Sequence, residues 1–277
     1  MCKIFRVVFG TELIAGAYLS QIGLLFFFLI KYGYYKPRTP SYNYINIFLL
    51  FLFVIIFLTG ERNAILIFLI CLFLFSYFDK KLIKYILSTI IFVAFIFIFF
   101  QNSYVFKERY LNFIKISTIN EENQLIKRLS NTPWGYHYQA GIELFLEKPL
   151  NGHGYKSFRF KCSETKIDKE MLENKFRYRN LRACSTHPHN YMIEFLSENG
   201  VLGLLFFFSL IILIFKKTYY QRKFDQNKKN FIVITLGSLI LAILFPFKPS
   251  GSFFTTFNAS ILFYLLGFFL YHSKQLK

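Results

Sequence analysis

The sequence predicts an all-α protein, a polytopic membrane helix bundle of about seven helices with one long, largely helical segment outside the bilayer. Its 277 residues are 55% hydrophobic and 21% aromatic, which exceeds what a soluble domain of this size carries. The apolar residues form long runs, as membrane-spanning helices require. Lys and Arg are concentrated in alternate connections between those runs, a pattern typical of polytopic membrane proteins.

Each predicted membrane helix is an apolar run close to the roughly 20 residues that a span needs. The third run is short and would need tilt or flanking residues to cross the bilayer. The runs are 10–31, 43–60, 63–78, 83–100, 197–216, 231–247 and 254–272. They divide the chain into an N-terminal membrane part, an extramembrane segment and a C-terminal membrane part, residues 1–100, 101–190 and 191–277.

The net charge of +18 is better explained by membrane topology than by nucleic-acid binding, because cytoplasmic loops collect Lys and Arg. The connections after the first, third and fifth runs and the C-terminal tail are basic, whereas the connections at Glu61-Arg62 and Lys248 carry little charge. The positive-inside rule therefore predicts a cytoplasmic C-terminus. It places the N-terminus, both weakly charged connections and segment 101–190 outside.

Residues 187–203 join the outer segment to the fifth run and contain the best candidate for chemistry. Pro188 keeps His187 out of the helical region, and Asn190 is the predicted N-cap of the helix that follows. His189 is thereby expected at the mouth of a helix and at a water–lipid boundary. A titratable imidazole in that position suits acid–base or phosphate chemistry.

The helix after Asn190 carries two further patterns. Glu194 and Glu198 lie one turn apart just inside its start, where the helix dipole favours acids. Gly200 and Gly203 are predicted to share a face of the helix and to allow close contact with another helix.

Two more candidates lie at the edges of predicted spans. Arg62 opens the third run beside the free N–H groups of a helix start, a combination that suits a phosphate. Interfacial anchoring, or pairing with Glu61, explains Arg62 equally well. Glu12 is the acid of a stretch rich in small residues, and helix packing with snorkelling explains it as well as a functional role does.

The outer segment is predicted to contain a helix at 134–147 that Pro149 ends. Its expected apolar stripe is formed by Tyr138, Ile142, Phe145 and Leu146. The sequence of residues 151–154 predicts a turn. The basic residues of 155–182, Arg159 among them, are interpreted as a solvated surface, with contact to anionic glycan or lipid head groups as the alternative.

The pattern His187-x-His189 resembles part of a metal site, but His137 and His153 are dispersed and no third ligand has suitable spacing, so neither a metal nor another cofactor is expected. Cys162 and Cys184 both lie in the outer segment. We predict a disulfide between them if the compartment is oxidising, although two free thiols fit the sequence equally well because the sequence gives no distance. The chain contains no P-loop and no nucleophile elbow, which argues against nucleotide hydrolysis and serine-hydrolase chemistry.

The pair His189-Asn190, followed after nine residues by Gly200-x-x-Gly203, resembles the signature of the O-antigen ligase and O-antigen polymerase superfamily. Three other segments of the chain resemble that superfamily in the matching order. They are the stretch around Glu12, the stretch Thr59-Gly60-Glu61-Arg62, and the outer segment with Arg128, Trp134 and Pro149-Leu150-x-Gly152-x-Gly154. Superfamily members carry further helices before the Glu12 segment, so this chain is expected to be a fragment or a truncated product.

The resemblance implies a membrane glycosyltransferase at the periplasmic face of the bacterial inner membrane. It would transfer a glycan from undecaprenyl diphosphate to lipid A–core, as part of lipopolysaccharide biosynthesis and without a metal or nucleotide. The resemblance implies that His189 acts as a base or, when protonated, as a phosphate ligand. It assigns the diphosphate to Arg62 and Arg128 and supporting roles to Asn190, Glu12, Gly200 and Gly203.

Three alternatives remain open at this point. The first is an O-antigen polymerase, which passes the glycan to another carrier-linked repeat unit. The second is a relative that glycosylates protein. The third is a non-catalytic membrane protein, either a transporter or a truncated relic. Clustering of the charges outside the bilayer favours interfacial chemistry over transport.

Overall fold

The computed structural model describes residues 15–29, 42–78, 83–103, 132–174, 181–221, 228–254 and 257–274. Within these ranges every regular element is helical and no strand occurs, which confirms the predicted all-α class. The chain forms two compact units. The first comprises Met1–Phe113, Ile214–Ile243 and Tyr264–Lys277, and the second comprises Ile114–Leu213 and Leu244–Phe263.

Helices occupy all seven of the predicted apolar runs, and the described part of the outer segment contains three more. The first run contains α1 (Ala15–Tyr18), a π-helical stretch (Leu19–Gly23) and α2 (Leu24–Leu29). The next three runs form α3 (Tyr42–Thr59), α4 (Arg62–Phe78) and α5 (Ile83–Phe100). The outer segment contains α6 (Pro133–Glu147), α7 (Phe158–Lys161), a 3₁₀ turn (Cys162–Glu164) and α8 (Lys166–Glu173). The last three runs lie in α9 (Tyr191–Gln221), α10 (Lys228–Ile243) and α11 (Phe257–Lys274).

Among the helices described, α9 is the one that is both long and apolar enough to cross a membrane. Shorter apolar helices fill several of the other runs. A bundle of seven spans therefore stays a prediction. The long helix is also interrupted, because Gly200 has non-helical backbone angles, with φ 65° and ψ −156°. Residues 191–199 form an entry helix, and the apolar part follows the interruption.

The first unit is held together by close helix packing. Phe75 of α4 meets Phe231 of α10 edge to face, with ring centroids 5.2 Å apart. Gly237 of α10 lies against Thr218 of α9 so closely that a Cβ atom on the glycine would overlap the threonine side chain. A small residue at that point lets the two helix backbones approach one another.

The core of the second unit joins α6, α7, α8 and the chain before α9. It is built from Tyr136, Ala140, Leu144, Phe158, Cys162, Met171 and Ala183. The apolar stripe predicted for α6 is not the face that the helix buries, because Ile142 and Leu146 are 43% and 70% exposed. The helix instead buries the face that carries the small residues Ala140 and Gly141, where Ile193 packs closely against Gly141. Closeness of approach, rather than side-chain size, decides which face is buried here.

A disulfide joins Cys162 to Cys184, with Cα atoms 4.9 Å apart, which confirms the predicted pairing. The buried carboxylate of Asp168 lies beside it. That carboxylate accepts hydrogen bonds from the Arg182 guanidinium at 2.8 Å and from the backbone N–H groups of Ala183 and Cys184, each at 3.0 Å. The chain entering the His189 region is thereby joined to the 3₁₀ turn by the disulfide and to α8 by the hydrogen bonds of Asp168.

Candidate functional site

The turn after α6 is inserted into the interruption of α9. The N–H groups of His153 and Gly154 donate to the carbonyls of Ser197 and Glu198, at 3.1 and 2.8 Å, at the end of the entry helix. The carbonyls of Pro149 and Leu150 accept from the N–H groups that open the apolar part, those of Val201 and Leu202, at 2.8 and 3.4 Å. The turn thus satisfies polar backbone groups on both sides of the interruption, which would otherwise lack partners.

The prediction that Gly200 and Gly203 share one helix face was wrong. Gly200 has a positive φ and leaves the helix, and a Cβ atom there would overlap the backbone of Leu150. Gly203 lies in the apolar part, against the side chain of Asn199 and the backbone of Phe195. The pair therefore allows the chain to break and the two parts of α9 to pass close together, which requires glycine for conformation at the first position and for space at the second.

Glu198 connects this junction to α7. Its carboxylate accepts hydrogen bonds from the backbone N–H groups of Lys156 and Phe158, at 2.8 and 3.4 Å. The side chain of Glu198 is buried, so it serves as an internal acceptor for the loop that leads into α7. The structure thus supports a structural role for this acid, which lies near the end of the entry helix.

His189 adopts a left-handed backbone conformation, with φ 57°. Its carbonyl oxygen accepts a hydrogen bond from the N–H of Ser250 at 2.8 Å. A left-handed conformation in a residue other than glycine costs about 1–2 kcal/mol. Such strain persists where the surrounding structure holds it in place, and it is concentrated at functional sites.

Asn190 is the N-cap of α9, as predicted. Its side-chain oxygen accepts from the N–H of Ile193 at 3.1 Å. Its amide nitrogen donates to the carbonyls of Pro246 and Lys248, at 2.7 and 3.1 Å. One side chain therefore caps the helix and fastens the 246–250 loop to it.

Two further imidazoles lie close to the ring of His189. The ring centroid of His187 is 4.1 Å from that of His189, and the ring of His137, which projects from α6, is 5.1 Å away. The Nδ1 atom of His137 donates to the carbonyl of Ala183 at 2.8 Å, so in the neutral ring the Nε2 atom carries the lone pair. His137 is therefore not dispersed, contrary to the prediction.

The electrostatics of this cluster favour uncharged rings. Burial, reinforced by the neighbouring His187 and His137, lowers the pKa of His189 from 6.5 to about 3. Burial also lowers the pKa of His187 to about 4, together with the charges of His137 and Arg159. Both rings are therefore neutral near pH 7, so His189 is available to accept a proton rather than to attract an anion as a fixed cation.

The described part of the chain contains no group of three or more His, Cys, Asp or Glu residues arranged to hold a metal ion. The three imidazole rings are thus close to one another, but they are not arranged as the ligands of a metal ion. Metal independence stays a prediction.

Arg159 is a residue whose role in this region the sequence did not reveal. It lies half-buried on α7, and its charge acts on His187 and on the carboxylates of Glu194 and Glu198. Its Nε atom is buried and has no hydrogen-bond partner in the ranges that the structure describes. The interpretation of Arg159 as part of a solvated surface was wrong. A charge run carries no signal that would separate this arginine from its exposed neighbours.

The remaining predicted site residues lie either in the first unit or outside the described residues. Arg62 is the first residue of α4 and belongs to the first unit. Glu12 and Arg128 lie outside the described residues. Convergence of Arg62 and Arg128 on His189 therefore stays a prediction.

The sequence model of a protein family described as O-antigen ligase matches residues 47–208, more than half of the chain. The chain belongs to the O-antigen ligase family. The match includes the cluster around His189 and both predicted arginines, and it confirms the resemblance on which those residues were chosen. O-antigen ligase family proteins are integral membrane proteins of bacteria, with glycosyltransferase activity of the ligase or polymerase type. No curated protein matches the chain.

Proposed function

We propose that this O-antigen ligase family protein transfers a glycan from undecaprenyl diphosphate to a sugar hydroxyl of lipid A–core. The observation that carries the proposal is the position of His189. This ring is held in a strained backbone conformation beside two further imidazoles, in the part of the chain that matches the family.

The reaction places two demands on the protein. The bond between the glycan's anomeric carbon and a diphosphate oxygen breaks, and the acceptor oxygen forms the new glycosidic bond. The acceptor hydroxyl loses its proton, which a base must receive. The leaving diphosphate gains negative charge, which cations must stabilise.

His189 is the proposed base. Its low pKa keeps the ring neutral before substrate binds, so its lone pair is free for the acceptor proton. The negative charge of a bound diphosphate would raise the pKa of this ring, because an opposite charge nearby favours the protonated form. Binding of the donor would thus strengthen the base at the moment when it is needed.

Arg62 and Arg128 are the proposed diphosphate ligands, since a guanidinium can hold two phosphate oxygens at once. Arg159 is added as a third candidate because its charge already reaches His187. Asn190 supports the site by fixing the residues that follow His189. Gly200 and Gly203 support it through the junction of α9. Glu12 is proposed as a supporting residue because its segment resembles one of the superfamily.

The proposed location is the bacterial inner membrane, with segment 101–190 in the periplasm and the chain divided as 1–100, 101–190 and 191–277. The Cys162–Cys184 disulfide supports this side of the membrane, because structural disulfides persist in oxidising compartments such as the periplasm. The proposed partners are the carrier-linked glycan, the lipid A–core acceptor and the surrounding bilayer.

The test is reconstitution of the full chain in vesicles that contain carrier-linked glycan and lipid A–core. The wild type should produce glycosylated lipid A–core, and His189→Ala should lower the rate at least about a hundredfold, as expected for loss of a general base. His153→Ala is the control, because the His153 ring bonds the Leu144 carbonyl rather than the cluster. Longer glycans on the carrier, without lipid A–core product, would favour a polymerase, and no transfer would favour a non-catalytic protein.

A further inference from the structure

Lys248 is a buried lysine in the second unit. It lies in the connection between α10 and α11, and its residue surface is only 3% exposed. The sequence placed it in a weakly charged outer connection and assigned it no role.

The ammonium of Lys248 has no ionic partner among the described residues. No carboxylate in those ranges forms an ion pair with it, and its one aromatic contact is the ring of Tyr191, 5.5 Å from its Nζ atom. A cation–π contact offsets only part of the cost of removing an ammonium from water. Burial accordingly lowers the pKa of Lys248 from 10.5 to about 7. A buried cation without an acid is an unusual feature in a protein that does not bind an anion there.

Three hydrogen bonds fasten the Lys248 loop to the residues around His189. The Asn190 amide donates to the carbonyls of Pro246 and Lys248, and the Ser250 N–H donates to the carbonyl of His189 at 2.8 Å. Lys248 therefore belongs to the same fastened group of residues as the proposed base. Nearby, the Oγ atom of Ser250 is buried and lacks a hydrogen-bond partner within the described ranges.

We propose that Lys248 is an anion-binding residue that takes an oxygen of a phosphoryl group at the His189 site. The identity of that group as the carrier's diphosphate rests on the proposed function. The anion-binding role itself rests on the buried, acid-free ammonium and its connection to His189. An ammonium suits a phosphoryl oxygen as a point charge with three donors.

Charging of Lys248 depends on the groups around it. Tyr191 of α9 faces its ammonium. His187 and His189 lie in the loop that is joined to it through Ser250 and Asn190. Glu194, one turn into α9, is bound instead by Ser252 and the N–H of Phe253. A bound phosphoryl group would supply the missing negative charge, so the lysine should hold the anion tightly below about pH 7 and lose it as the pH rises.

The experiment is calorimetric titration of the full chain in detergent with inorganic pyrophosphate. Lys248→Met keeps the length of the side chain and removes its charge, and should weaken pyrophosphate binding about tenfold to a hundredfold. Lys248→Arg keeps a charge that does not titrate in this range. The affinity of Lys248→Arg relative to the wild type should therefore rise between about pH 6 and about pH 8.5. The protonation of pyrophosphate also changes over this range, but it affects both proteins equally and cancels in the ratio of their affinities.

Each outcome is decisive. Equal binding by folded Lys248→Met and the wild type, no binding by the wild type, or a ratio of Lys248→Arg to wild type that does not change with pH overturns the proposal. Should Lys248→Met fail to keep the Cys162–Cys184 disulfide, the pH dependence of Lys248→Arg alone decides. Pyrophosphate binding that depends on Lys248 without any glycan transfer would refute the proposed function and leave this inference standing. Glycan transfer without pyrophosphate binding that depends on Lys248 would refute this inference and leave the proposed function standing.

Discussion

The ring of His137 lies 5.1 Å from the ring of His189, centroid to centroid, although the two residues belong to separate segments of the chain. One projects from the middle of α6 and the other precedes α9. The contact makes α6 part of the candidate site, so a histidine predicted from the sequence to be dispersed becomes one that affects the proposed base.

Replacement of His137 by Ala or Asn should shift the pH dependence of glycan transfer. The charge of His137 helps to lower the pKa of His189, so without it the pKa of His189 should rise and the acid limb should move to higher pH. Asn can still donate to the carbonyl of Ala183, which His137 Nδ1 does in the wild type. A normal pH profile in His137→Asn, with loss of stability in His137→Ala, would indicate a structural role instead.

Gly200→Ala should lower the free energy of unfolding by about 2–4 kcal/mol, since it combines a left-handed conformation with a backbone overlap. The overlap would be with Leu150 and Pro149. Gly267→Ala is the matched control in α11, because a Cβ atom there meets nothing within 4 Å. Denaturant unfolding in detergent measures both variants, and equal stabilities would contradict the role of the interruption.

Removal of the Cys162–Cys184 disulfide should lower the free energy of unfolding by about 3 kcal/mol, the chain-entropy value for a loop of about 20 residues. The double replacement of both cysteines by Ser tests this, with Cys71→Ala as the control, because Cys71 is buried and unpaired. A reducing agent should reproduce the loss in the wild type. Unchanged unfolding under reduction would show that the Asp168 hydrogen bonds suffice to hold this segment.

Acid should destabilise the second unit through its histidines. The folded-state pKa values of His187 and His189, about 4 and about 3, lie below the ordinary 6.5, so the unfolded chain binds protons that the folded chain does not. Their contribution to stability is complete above pH 6.5 and is lost as the pH falls toward 4 for His187 and toward 3 for His189. Thermal unfolding at a series of pH values measures this loss. Replacing both residues by Asn should make the unfolding temperature depend less on pH. A wild type that is equally stable at the highest and the lowest pH of the series would contradict the prediction.

Membrane topology is testable by labelling introduced cysteines from outside the cell membrane. A membrane-impermeant reagent should reach a cysteine that replaces Lys166 and should miss one that replaces Lys223, because the basic connection around Lys223 is predicted to be cytoplasmic. The double variant Cys2→Ala/Cys71→Ala provides the background for both, because it removes the two cysteines outside the disulfide. The opposite pattern of labelling would reverse the predicted orientation and remove the periplasmic assignment of the site.

Features with a local physical cause were predictable from the sequence. Asn190 caps α9 because its short side chain reaches the next turn. Helix α6 ends before Pro149, which disfavours a helical conformation in the residue before it. The pairing of Cys162 with Cys184 could be proposed from their shared segment, although their distance could not.

Features that depend on tertiary packing were not predictable in the same way. The approach of His137 to His189 follows from the burial of the Ala140 face of α6, and hydrophobic spacing had indicated the Ile142 face instead. Lys248 resembled any other loop lysine in the sequence, because the property that distinguishes it is burial without an acid. Only a fold reveals that property.

The junction between the Pro149–Gly154 turn and α9 is made of hydrogen bonds between main-chain atoms alone. Side-chain replacements delete none of these bonds, so most positions of the turn should accept many residue types in a saturation library. The exceptions should be Gly152, whose Cβ atom would overlap the backbone of Glu198 and Asn199, and Gly154, whose φ of 100° is strained for any other residue. Replacements around the junction should therefore be harmful only at single isolated positions. Their effect should not decrease steadily with distance from His189.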